Sequence, residues 1–155
     1  MAEMPKVDEN HAQLERLAGR WTTEETLHAS PWGPGGTSTS RTVSRMAIGG
    51  FFLLTDYEQW RDGRVAFQGH SVHGWDPHRR LVVWYWVDSM GMPPPTPATG
   101  AWDGEALVMS QSTPHGQSRY TWRFDGPDRH RFSIESSKDG TNWVTFMEGH
   151  SRRER

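Results

Sequence analysis

Apolar and polar positions change period once along this chain. Over residues 7–18, Val7, His11, Leu14 and Leu17 recur in steps of three and four, which predicts one short amphipathic helix ending at Gly19. From residue 20 onward the period is two. Strand-like runs follow at roughly 20–29, 38–48, 50–61, 64–76, 79–89, 98–103, 105–112, 116–125, 129–137 and 142–151.

Turn chemistry separates nearly all of these runs. Asp62-Gly63, Asp103-Gly104, Asp125-Gly126 and Asp139-Gly140 supply residues that tolerate positive φ, and Asp76-Pro77 and His115-Gly116 serve similarly. Ten strands joined mainly by short hairpins imply an antiparallel up-and-down meander. Such a sheet hides its two edge strands by closing into a β-barrel, with an open two-layer sandwich as the alternative. Successive connections alternate between the ends, so the two long ones, residues 30–37 and 90–97, fall at the same end and frame a mouth. The helix then lies at the other end, where it plugs the floor.

Alternation also assigns faces. Tyr120, Trp122 and Phe124 alternate with Arg119, Thr121 and Arg123, and Phe132 and Ile134 with Arg131, Ser133 and Glu135, so the apolar members point inward. In the third strand the face without carboxylates, Phe51, Leu53, Thr55, Tyr57 and Gln59, is the inner one. The fifth strand is apolar on both faces. We assign Val82, Trp84, Trp86 and Asp88 to the interior, and Leu81, Val83, Tyr85 and Val87 to a homodimer contact or a covering loop; the opposite assignment is the alternative.

At 155 residues the chain fits one domain, residues 1–155 with the barrel over 20–151. Only 34% of residues are apolar, yet nine Trp, six Phe and three Tyr place much of the buried area in aromatic rings. A net charge of −2 with acids and bases interspersed offers no basic face for a nucleic acid, and Arg152, Arg153 and Arg155 read as a solvated tail. Without cysteine there is neither disulfide nor thiolate metal site. With no signal peptide or apolar run of spanning length, a cytoplasmic protein with no membrane partner is expected.

No P-loop, dinucleotide fingerprint, zinc-protease or EF-hand pattern occurs, and Ser71 within Gly69-His70-Ser71-Val72-His73-Gly74 lacks the spacing of a nucleophile elbow. His70 and His73 are three apart on a strand and face opposite sides, so they do not chelate one metal; no metal or cofactor is expected. Asp88, Gln111 and Tyr120 are expected to meet at the mouth above an aromatic floor, the form of a pocket with a few orienting polar groups. Asp88, His70 and Tyr120 are the candidates for proton transfer. The plainer role for Asp88 is to cap the following loop, and for His70 to be an ordinary core or surface histidine. Tyr57, Trp84, Trp86, Gln111, Trp122 and Phe132 are the candidates for holding a ligand. Ten strands favour a barrel with a real cavity over one filled by its own side chains.

Leu17-Ala18-Gly19-Arg20-Trp21 after a short helix resembles the Gly-x-Trp signature that opens the first strand of calycin and lipocalin-type barrels. That resemblance implies a late Arg, here Arg152 or Arg153, lying across the Trp21 ring. Nearly the whole chain resembles the bacterial DUF1579 family, lipocalin-like proteins of unestablished function. The resemblance runs through His11-x-x-Leu14-x-x-Leu17-x-Gly19-x-Trp21, Gly74-Trp75-Asp76-Pro77, Trp84-Tyr85-Trp86-x-Asp88-Ser89, Phe124-Asp125-Gly126-Pro127-Asp128 and Met147-Glu148-Gly149. It implies the fold and carries no catalytic residues. The haem-binding nitrobindin barrels are a more distant comparison whose late iron-binding His directs attention to His150. Thr22-Thr23-Glu24-Glu25-Thr26 stands where their Gly-rich repeat is expected, and His150 near the terminus reads as solvent-facing.

The sequence thus supports a lipocalin-like barrel that binds a small hydrophobic or aromatic molecule. The alternative is a cofactor-independent enzyme that uses the same pocket for cyclisation, condensation or isomerisation, as in natural-product biosynthesis, with Tyr57 or Tyr120 as hydrogen-bond donor. A haem protein is the third reading.

Overall fold

A computed structural model describes residues 2–31, 33–94 and 96–155. Trp32 and Pro95, within the two expected mouth loops, lie outside the described residues. The chain forms a closed antiparallel barrel of ten strands in meander order. They are β1 (Gly19–Leu27), β2 (Gly36–Ala47), β3 (Phe52–Arg61), β4 (Arg64–Asp76), β5 (Leu81–Asp88), β6 (Ala98–Asp103), β7 (Ala106–Thr113), β8 (Gly116–Phe124), β9 (Arg129–Ser137) and β10 (Val144–Arg153). β1 pairs with both β2 and β10, which leaves no free edge and excludes the open sandwich.

The helix is shorter than the periodicity predicts. Asp8 is its N-cap, accepting a bond from the Asn10 N–H at 2.8 Å while its own N–H reaches His11 Nδ1 at 3.1 Å, so α1 begins at Glu9. α1 (Glu9–Leu14) continues as a 3₁₀ turn, Glu15–Leu17, and buries His11, Leu14 and Leu17. Gly19 ends it at φ 116°, a backbone that L side chains avoid, and a Cβ there would collide with the Arg153 guanidinium.

Two strand limits move for a related reason. Asp76 accepts from the N–H groups of His78 and Arg79, holding 77–80 in a turn so that β5 starts at Leu81 instead of 79. Asp139 likewise binds the backbone of Thr141 and Asn142, and β10 starts at Val144. β10 then runs on to Arg153, opposite Trp21. Arg153 is therefore no part of a solvated tail. Its guanidinium lies 4.2 Å from the Trp21 ring, bonds the carbonyls of Ala18, Arg16 and Pro127, and pairs with Asp128 at 3.0 Å. Of the two arginines proposed for this contact, Arg153 makes it, and Arg152 is exposed.

This end is the floor. Trp21 donates from Nε1 to the Leu17 carbonyl at 3.0 Å and packs with Phe124, Leu14 and Leu53 in the core. Arg16 covers Trp102 at 4.2 Å and pairs with Glu105 at 2.8 Å, tying the helix to the β6–β7 turn.

The outer face of β5 is partly bare. Tyr85 and Val87 are 48% and 41% exposed, whereas Val83 on the same face is buried. Charges are less evenly spread than the sequence suggests, because Arg123 stands opposite Arg131, and Arg129 opposite Arg152, on the outside of β8–β10. No helix among the described residues is long and apolar enough to cross a membrane.

Candidate functional site

Above the floor the barrel encloses a cavity of about 630 Å³ that opens beside the 89–97 connection, with Met92, Pro93, Thr96 and Pro97 at its rim and Leu17 at its base. β5 presents its Trp-rich face inward, as assigned: Trp84 is buried, Trp86 half-buried, and Asp88 sits at the upper end. Trp84 meets Trp86, Trp122 and Tyr120 at centroid distances of 5.8, 5.1 and 4.9 Å, and Phe132 packs on Trp122 at 4.9 Å. Tyr57, Gln111, Tyr120, Trp122 and Phe132 all line the same space. Gly69 makes room for this wall. A Cβ at that position would overlap the Trp86 indole.

The three polar groups expected at the mouth are present but differently engaged. Tyr120 donates to Gln111 Oε1 at 3.2 Å, and Gln111 donates to the Thr96 carbonyl of the rim loop. Burial raises the Tyr120 phenol above its ordinary value, keeping it a donor. Asp88 accepts from Trp86 Nε1 at 2.7 Å and from the Met90 N–H at 3.0 Å. Its carboxylate fixes an indole and caps the loop. His70 lies on the outer face, 44% exposed and 2.8 Å from Asp56, and does not line the cavity.

Three buried groups escape the sequence expectations. His73 lines the cavity, stacked on Trp84 at 5.6 Å and edge-on to Trp122 at 5.4 Å, and neither of its ring nitrogens has a hydrogen-bond partner among the described residues. Burial pushes it down to about 3, so it is neutral at physiological pH. His130, 4.5 Å from Trp21, is pushed down to about 4 by burial and then by the charge of Arg153. Glu25, only 2% exposed, accepts the Tyr57 hydroxyl at 2.7 Å to Oε2 and 3.0 Å to Oε1. Burial first, and then the adjoining Glu25 carboxylate, push the Tyr57 phenol well above its ordinary value.

Glu25 and Tyr57 meet across β2 because the inward positions of that strand are small, with Ser38 opposite Glu25 and Ser40 opposite Gln59. The signal for Glu25 is parity: it is two pairs along β1 from the inward Trp21. The same count places His73 inside once His70 is outside.

His150 is exposed on the outside of β10, as expected. Among the described residues no group of three or more His, Asp or Glu side chains is arranged to hold a metal ion.

A family model described as a protein of unknown function, DUF1579, matches residues 6–153. No curated protein matches the chain. Among solved structures it is similar to Rv2717c from M. tuberculosis, at 15% identity and a TM-score of 0.71 over 97% of this chain and 100% of that one. The S-type phycobiliprotein lyase CPES from Guillardia theta aligns at 12% identity and a TM-score of 0.67, over 97% and 99% of the two chains. A redesigned β-barrel aligns at 14% and 0.51, over 97% and 100%. At these identities the likeness is one of fold.

Proposed function

The chain belongs to the DUF1579 family, and from that footing and the form of its cavity we propose that it binds a small, largely hydrophobic or aromatic molecule inside the barrel. One observation carries this reading. The barrel encloses a space of drug-sized volume, about 630 Å³, walled by Tyr57, Trp84, Trp86, Tyr120, Trp122 and Phe132 and open at the mouth. Apolar walls supply affinity, while Tyr120 and Gln111 orient what enters.

A neutral aromatic probe, N-phenyl-1-naphthylamine, tests this by fluorescence. Saturable one-to-one binding that quenches the tryptophans is the expected result. A linear, unsaturable response would contradict it.

The catalytic alternative has support in the phenols and carboxylate that line the cavity, and one structural neighbour is named a lyase. His70 is withdrawn from it by position, and Asp88 is engaged in holding Trp86 and the loop. Tyr120 remains. Reduced turnover with retained binding in Tyr120→Phe would favour an enzyme. The haem reading draws on His150, which stands outside the barrel.

A further inference from the structure

Few charges face the cavity. Arg61 is exposed at the mouth end of β3, and Asp88 is bonded to Trp86 and the loop backbone at the rim. His73 and His130 are held neutral by burial. Glu25 is the acidic side chain buried in the cavity wall, and the Tyr57 hydroxyl, with one hydrogen to give, is its bonding partner among the described residues. A carboxylate accepts up to about four hydrogen bonds, and one buried without a countercharge is costly. Elsewhere the chain provides cations for such groups: Arg119 for Glu135, Arg153 for Asp128 and Arg16 for Glu105.

The surroundings of Glu25 suit a cation that arrives from outside. The partner of Glu25, Tyr57, stands 5.7 Å from Trp86 and 6.3 Å from Phe67, centroid to centroid in edge-to-face contacts, so the carboxyl adjoins an aromatic cluster of the kind that attracts positive charge. The glycines paired with Glu25 and Tyr57 hold this cluster close: a Cβ at Gly149 would lie 3.6 Å from Glu25 Cγ and 2.7 Å from Thr23 Cγ2, and Gly69 admits the Trp86 ring. A ligand carboxylate here would face Glu25, and a neutral ligand would fill the space while leaving that group uncompensated.

We propose that the ligand class is a cationic amine on an apolar or aromatic skeleton, its ammonium paired with Glu25 and flanked by Tyr57, Trp86 and Phe67. This rests on the small-molecule role above and specifies the chemistry of that same cavity.

The test is calorimetric titration with three probes that share a skeleton: 2-(1-naphthyl)ethylamine, 2-(1-naphthyl)ethanol and 1-naphthylacetate. The amine is expected to bind at least about tenfold tighter than the alcohol, and the acetate more weakly than either. In Glu25→Gln the amine's advantage should shrink to about twofold or less while the alcohol binds as before. Should that variant fail to fold by circular dichroism, Tyr57→Phe, which keeps the carboxylate, is expected to retain the preference for the amine. Loss of the preference in Tyr57→Phe would overturn the assignment to Glu25. Equal affinity for amine and alcohol in the wild type, or tightest binding of the acetate, overturns the cationic class and leaves the small-molecule role standing. No binding of any of the three overturns both.

Discussion

At the floor of the barrel Trp21 is enclosed by Phe124, His130 and the guanidinium of Arg153, and its N–H is bonded to Leu17. Further up, Trp84 meets Trp86, Trp122 and His73, and all three tryptophans line open space. The same residue type serves two purposes according to whether the chain supplies its partners. Floor rings are covered by Arg16 and Arg153, whose charges are in turn paired with Glu105 and Asp128. Among the described residues no guanidinium lies over a cavity ring, and the buried carboxylate there has a phenol as its partner, while nitrogens without bonds occur at both levels, Trp102 Nε1 and His130 Nδ1 below as well as Trp84 Nε1 and His73 above. Paired guanidiniums clamped over the floor rings hold the fold together, whereas the uncovered aromatic wall above leaves room for a ligand.

The sharpest way to break this contrast is at the floor. Trp21→Ala should cost about 3–5 kcal/mol of folding stability, read from denaturant unfolding, because it empties a buried site and strips the Arg153 contact at once. Trp86→Ala, at the half-buried rim, should cost less stability and instead weaken probe binding. Equal losses of stability would remove the distinction.

Acid is the next probe. Unfolded, each histidine titrates near 6.5; folded, His73 and His130 do so only at about 3 and 4. As pH falls below 6.5 the unfolded chain takes up protons that the folded one refuses. Stability therefore declines on acidification, by up to about 1.4 kcal/mol per pH unit for each histidine, and is recovered above 6.5. His73→Phe should flatten the decline between pH 6.5 and 4 in unfolding measured across that range. An unchanged slope would mean that His73 is solvated.

Smaller effects sharpen the picture of the wall. Gly69→Ala forces the Trp86 ring off β4 and should cost about 1–3 kcal/mol, with a weaker aromatic probe as its companion. Asp88→Asn leaves one acceptor for two donors, Trp86 Nε1 and the Met90 N–H, and should cost about 0.5–1.5 kcal/mol by thermal unfolding.

The parts of this structure that sequence makes legible are those governed by local chemistry. β4, β6 and β9 fall on their expected residues because turn residues bound them, and Gly19 and Trp21 announce the floor. The inward placement of Trp84, Trp86, Trp122, Tyr57 and Phe132 follows from alternation. What stays hidden depends on which groups bond one another in the interior. The residue types alone do not show that Trp86, two positions earlier on the same strand, will take an oxygen of Asp88, and Glu25, beside the equally acidic Glu24, looks like a surface residue until Trp21 fixes the phase. His70 and His73 differ only in parity, and parity carried the chemistry to the one not chosen.

The indole N–H signals of the nine tryptophans offer the most direct test, followed by nitrogen–proton NMR during titration with N-phenyl-1-naphthylamine. The signals of Trp84, Trp86 and Trp122 should move to saturation together while that of Trp102, which does not line the cavity, stays in place. Movement of Trp102 alone, or no movement at the cavity three, would contradict a ligand-binding cavity above the floor.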